Sequence, residues 1–154
     1  MLSARHLHFA PIGLLLLSLC AHADGPPRIA DIHLHWKWNQ KEVIDAADAI
    51  RILREQNVGL AVVTGTPPEL ALELQEIAPD IVRPIYGIYR IPGEWSSWHH
   101  DQDLLKRVRQ ALESGRWFGI GEIHMIGGFI SDWKNPVIAG LFDLATEFDV
   151  PVLL

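Results

Sequence analysis

Two short stretches of this chain carry residue types that could do chemistry. Residues 31–36 read DIHLHW and residues 119–125 read GIGEIHM. Side chains at i and i+2 of a strand share a face. His33 and His35 therefore point the same way with Asp31 behind them, while Ile32 and Leu34 point to the opposite side. Two imidazoles side by side at the end of a strand can grip one metal ion. Each nitrogen would lie ~2.0–2.1 Å from zinc, and imidazole also suits iron, copper and nickel. The alternative is two histidines satisfied by hydrogen bonds or exposed at a strand end. Glu122 and His124 repeat the i, i+2 spacing. A buried, unpaired carboxylate is costly, so Glu122 calls for a cation or strong donors, with an arginine partner as the plainer reading. His124 reads either as a ligand or as a contact behind the ligands or with substrate.

Other residues carry weaker signals. Arg90, at the end of a third apolar run, could clamp a substrate carboxylate; a solvated loop arginine is the simpler reading. Trp36, Trp38, Trp95, Trp98 and Trp133 gather near strand ends and the loops after them. Some of them could wall a pocket, although packing is the commoner role of each. His99 and His100 sit in a polar loop and read as exposed. Gly127-Gly128 reads as a turn.

These residues need elements to position them. Arg28 to Trp36 is a strand candidate, and Lys41 to Gln56 follows as a helix with Val43, Ile44, Ala47, Ile50 and Leu53 at helical spacing. Val58 to Thr64 is nearly continuous apolar sequence, as in a strand buried on both faces. Pro68 to Ala78 makes a second helix that opens on its prolines. Ile81 to Tyr89 makes a third strand, with Pro84 an irregularity. Asp103 to Ser114 is a third helix stopped by Gly115. Trp117 to Met125 is a fourth strand, Pro136 to Phe148 a fourth helix, and Val150 to Leu154 the start of a fifth strand. Strand and helix alternate with crossovers long enough for a parallel sheet, which makes this an α/β chain. Two architectures fit. One is the first half of a (β/α)8 TIM-type barrel, about four βα units plus the start of strand 5. The other is a flavodoxin-like open parallel sheet, which the length of 154 residues suits.

The N-terminus belongs to neither. Arg5, the apolar run from Ile12 to Cys20 and the sequence Ala21-His22-Ala23 together have the parts of a secretory signal peptide. The run is too short for a membrane span. Cleavage after Ala23 would leave residues 24–154 as one exported domain, periplasmic or secreted. It would also remove the single cysteine, so no disulfide is expected. The formal net charge of −6, with no Lys/Arg run, argues against nucleic acid as a partner. A small-molecule substrate is the expected partner, with no membrane contact after cleavage and a homo-oligomer left open.

Taken together, the DxHxH of the first strand and the GxGEIH of the fourth resemble the amidohydrolase superfamily of metal-dependent hydrolases. The amidohydrolase-related branch, with its lactonases and decarboxylases, is nearest. The resemblance spans Ile29 to Leu154 and implies a (β/α)8 barrel. It implies that His33 and His35 bind a divalent metal and that Glu122 completes or bridges the site. Zinc is the first choice, manganese or iron the alternatives, with one or two ions. His124, Arg90 and Trp36 are the candidates for contacts behind the ligands or with substrate. The family also uses histidines at the ends of strands 5 and 6 and an aspartate on strand 8 for proton transfer. Leu154 stands one residue before the expected strand-5 histidine, so no acid-base residue can be assigned, and the chain reads as the N-terminal part of a longer enzyme. The implied activity is attack of metal-activated water on an amide, lactone or other ester bond. A decarboxylase on the same platform and a non-catalytic exported metal- or ligand-binding domain are the alternatives.

Overall fold

The computed structural model describes residues 26–125, 130, 132 and 134–154. The expected leader at 1–23, the Gly127-Gly128 turn and Trp133 lie outside them. The elements run β1 (Ile29–Lys37), α1 (Ala46–Glu55), β2 (Val58–Thr66), α2 (Leu70–Ile77), β3 (Val82–Ile85), α3 (Leu104–Glu113) and α4 (Pro136–Glu147). Two single-turn 3₁₀ helices, Glu94–Ser96 and Trp98–His100, stand between β3 and α3. β1 pairs in parallel with β2, and β2 in parallel with β3. Parallel pairing then continues as single bridges, Tyr86 to Ile120 and Ile120 to Val152. The chain is thus mixed α/β, built on an open parallel sheet whose neighbours follow one another in sequence order.

Local chemistry sets where the helices begin. The Asp45 side chain accepts the Asp48 backbone N–H at 2.8 Å, capping α1. That cap moves the start five residues past the Lys41 suggested by apolar spacing. The intervening residues turn instead, with Ile44 N–H bonded to the Gln40 carbonyl, and Val43 is 87% exposed rather than part of the core face. α4 opens on an Asn135 cap with Pro136 at its first position, where a missing N–H costs nothing. α3 buries Leu104, Val108 and Leu112, one stripe at helical spacing.

The sheet is covered unevenly. Ala61 and Val63 of β2 are fully buried in one apolar cluster with Ile50 of α1 and Leu70 and Leu74 of α2. Leu60 and Val62, alternating with them, are only half-buried. On their side an apolar groove of about 210 Å³ is lined by Ile32, Val62, Ile85, Pro151, Val152 and Leu153. Ile32 is 63% exposed there. β2 is therefore not buried on both faces among the described residues, because α1 and α2 cover only one of them.

Two expected strands are shorter or irregular. β3 spans Val82–Ile85 rather than Ile81–Tyr89, and it contains Pro84, which has no N–H for the ladder. The stretch expected as strand four is held on both sides. Phe118 and Gly121 donate to the Pro84 and Tyr86 carbonyls, and Ile120 and Ile123 donate to those of Pro151 and Leu153. Gly121, at φ +130°, breaks the extended run. Only Ile120 keeps the regular bridge geometry, as does Val152 in the fifth stretch.

Candidate metal centre

The site is built from the middle and second half of β1 and from the segment just after the Ile120 bridge. β1 does not alternate strictly: Asp31 pairs with Ala61 and Leu34 with Val63, so three residues of β1 stand against two of β2. This is a bulge. It separates the two apolar neighbours expected to share a face. Ile32 lines the open groove, while Leu34 lines a groove against Ala49, Ile52 and Leu53 of α1. The Asp31 carboxylate accepts the His33 backbone N–H at 3.1 Å across the bulge. The imidazoles still converge, with their Nε2 atoms 3.1 Å apart.

Glu122 reaches the same point from the fourth stretch. The buried Thr64 hydroxyl, near the end of β2, donates to the Gly121 carbonyl at 2.9 Å and ties the preceding peptide to the sheet. A Cβ at Gly121 would meet the Leu153 carbonyl oxygen, so only glycine allows this close approach. Held in this way, Glu122 lies with Oε1 3.4 Å from His33 Nε2 and Oε2 3.3 Å from His35 Nε2. The carboxylate is 18% exposed, and the two histidine side chains are 39% and 28% exposed.

His33, His35 and Glu122 form a group whose donor atoms could hold a metal ion. The donor set fits one. Two ligands each ~2.0–2.1 Å from a tetrahedral zinc ion lie about 3.3 Å apart. The two nitrogens, 3.1 Å apart, are near that edge length, and each has a different Glu122 oxygen beside it, at 3.4 Å and 3.3 Å. Metal ligation needs an unprotonated imidazole nitrogen. The pKa of His35 lies below its ordinary value, chiefly because burial disfavours its charged form and also because Lys37 repels a second positive charge; Glu122 opposes the shift. The lowered value favours the neutral imidazole that ligation requires.

His124 is close without joining the trio, its Nε2 3.7 Å from Glu122 Oε1. Its partner is Tyr89, which bonds both the backbone N–H and Nδ1 of His124, each at 2.8 Å. Tyr89 was not among the sequence candidates. The contact spans 35 residues, and no local spacing announces it. Beside this pair a cavity of about 70 Å³ is walled by Trp38, Trp95 and Ile91. Two of the tryptophans therefore do line a pocket. Trp36 and Trp98 are more deeply buried, 3% exposed each, and each also lines a groove of its own, Trp36 beside Leu34 and His35 and Trp98 beside Arg90 and Glu94.

Three further expectations change. Arg90 is engaged by Glu94, with Nη2 to Oε1 at 2.8 Å, and lies 3.6 Å from Asp101. Burial pushes the Glu94 carboxyl up, but hydrogen bonds from Arg90 and Ile91 outweigh that and hold it below its usual value. A guanidinium paired in this way is not a free clamp for substrate. Trp36 packs into the core cluster, 3% exposed, where it lines the groove that also holds His35, and its Nε1 has no hydrogen-bond partner among the described residues. His99 is buried and only His100 is exposed, because the 3₁₀ turn folds the first inward against Trp98.

No known family model, curated protein or solved structure matches this chain.

Proposed function

We propose that this chain carries the metal centre of an amidohydrolase-type hydrolase, exported and acting on an amide, lactone or other ester bond. The observation that carries this reading is the convergence of His33, His35 and Glu122, whose donor atoms lie close enough to share one ion. Two imidazoles and one carboxylate leave a fourth position open, the pattern of catalytic rather than structural zinc. Zinc is accordingly the proposed ion, ahead of manganese or iron. When bound, it would supply Lewis-acid polarisation of a carbonyl oxygen and bring the pKa of its water toward ~7.

The architecture supports the same reading. Ligand sites of parallel α/β proteins lie toward the carboxyl ends of the strands; here His33 stands at the middle of β1, His35 in its second half, and Glu122 two residues past the Ile120 bridge. A doubly wound sheet reverses its strand order at a switch point. Here the order follows the sequence through Ile120 and Val152, as it does around a barrel. The apolar groove on the side away from α1 and α2 would then be part of a barrel interior.

The chain's own residues divide the work. His33 and His35 bind through Nε2, and the environment of His35 favours the neutral form for that role. Glu122 offsets the positive charge and separates the imidazoles from His124. Trp38 and Trp95 give a small apolar group a place to dock next to the site.

The test is hydrolysis of an activated ester such as p-nitrophenyl acetate by the zinc-loaded full chain, beside its Glu122→Ala variant and free zinc. Zinc-dependent turnover above free zinc, lost in the variant, supports the reading. Equal rates for wild type, variant and free zinc contradict it.

A further inference from the structure

The Tyr89 hydroxyl carries information about the site that the ligand trio does not. Its residue is 7% exposed, and its oxygen has two partners on one residue, the backbone nitrogen and the Nδ1 of His124. A backbone N–H only donates, so the phenol oxygen accepts there. A phenol has one proton to give. Burial raises the pKa of Tyr89 well above its ordinary value, outweighing the His124 backbone hydrogen bond, so the group stays protonated at neutral pH. Nδ1 of His124 is the one other partner of this hydroxyl among the described residues. A donor left unpaired out of water costs ~1–3 kcal/mol, which favours giving the phenol proton to Nδ1, its partner at 2.8 Å. An imidazole that accepts at Nδ1 carries its own proton on Nε2 when neutral. Nε2 is the atom that faces Glu122.

We propose that Tyr89 locks His124 in the Nε2–H tautomer, which makes His124 a hydrogen-bond donor into the metal centre and not a third nitrogen ligand. The inference rests on the metal-centre reading for its target and on hydrogen-bond satisfaction alone for the tautomer. A nitrogen that bears a proton has no lone pair for a metal. It stands 3.7 Å from Glu122 Oε1, just outside hydrogen-bond distance, and can donate to an oxygen of a ligand arriving at the open position. Tyr89 is a positioning residue that acts through His124. The arrangement limits the protein ligands in this part of the chain to His33, His35 and Glu122. It also sets a neutral donor where a carbonyl oxygen would gather negative charge, which suits an ester or amide substrate.

The test reads the tautomer directly. Long-range proton–nitrogen NMR correlations would be recorded on the ¹⁵N-labelled, metal-free full chain at mildly alkaline pH, with His124 assigned through a His124→Gln variant. The expected result is a protonated Nε2 and a bare Nδ1 in wild type, with that preference lost in Tyr89→Phe, which keeps the buried ring. A protonated Nδ1 in wild type, or an unchanged tautomer in Tyr89→Phe, overturns the proposal. A second arm loads wild type and His124→Gln with cobalt(II). Unchanged stoichiometry and coordination number, the latter read from the visible absorption intensity, support the donor role, whereas a changed coordination number in the variant makes His124 a ligand and overturns it. If wild type binds no cobalt, the metal-centre reading fails, and the claim of a donor into it fails too. The NMR arm still decides the tautomer by itself.

Discussion

At the residue scale, the distance between two nitrogens does most to define the site. The His33 and His35 Nε2 atoms lie 3.1 Å apart, with one Glu122 oxygen 3.4 Å from the first and the other oxygen 3.3 Å from the second. Period-two spacing was enough to put both histidines, and separately Glu122 and His124, on the candidate list. It could not show that the two motifs meet, because that depends on contacts across some ninety residues of chain. Nor could it separate Glu122 from His124, since Tyr89, which bonds one of them, is remote in sequence. The His35 environment makes a prediction with a definite sign. Its folded-state pKa lies below the ordinary 6.5, so the unfolded chain takes up a proton that the folded chain resists. The stability it contributes is in place above about pH 6.5 and is lost as pH falls from there through the lowered folded value. Metal affinity declines over the same range, because the ligand must be unprotonated. Urea midpoints and zinc titrations from pH ~8 down to ~5 check this. Wild type should lose stability on acidification more steeply than His35→Gln. Parallel curves would contradict the assignment.

At the element scale, the segments that hold the ligands depart from regular structure. β1 carries a bulge between Asp31 and Leu34, and the Glu122 segment leaves the extended conformation at Gly121. The order and type of the elements were readable from apolar periodicity and from punctuation by proline and glycine. The departures were not, because a bulge depends on pairing register and the Gly121 conformation on the Leu153 backbone beside it. The same holds for α1, whose start is set by the Asp45 cap and not by Val43. Gly121→Ala tests how far the irregular segment matters. Its methyl would meet the Leu153 carbonyl at a backbone conformation that L-residues rarely adopt. The expected loss is ~1–3 kcal/mol in chemical denaturation, together with weaker zinc binding as Glu122 shifts. Unchanged stability and zinc affinity would show that the segment has slack and does not fix the carboxylate.

At the scale of the whole molecule, the sheet has one covered and one uncovered face among the described residues. The α/β class followed from the alternation of strand and helix. Which face stays open did not, because Val58 to Thr64 is too uniformly apolar to reveal it. Ile32, 63% exposed, and the adjoining groove offer apolar surface beside the unpaired edge of β1. Such edges and patches associate. Residues 24–154 expressed alone should therefore sediment as oligomers or precipitate, and Ile32→Lys should shift them toward monomer. A soluble monomer that unfolds cooperatively and binds no apolar dye would contradict the barrel-segment reading. The bound ion itself is the most direct measurement. Elemental analysis of the purified full chain should find about one or two equivalents of zinc, manganese or iron, lost in the His33→Ala/His35→Ala double variant. No metal in either protein after reconstitution would make DIHLHW a structural strand end and remove the proposed centre.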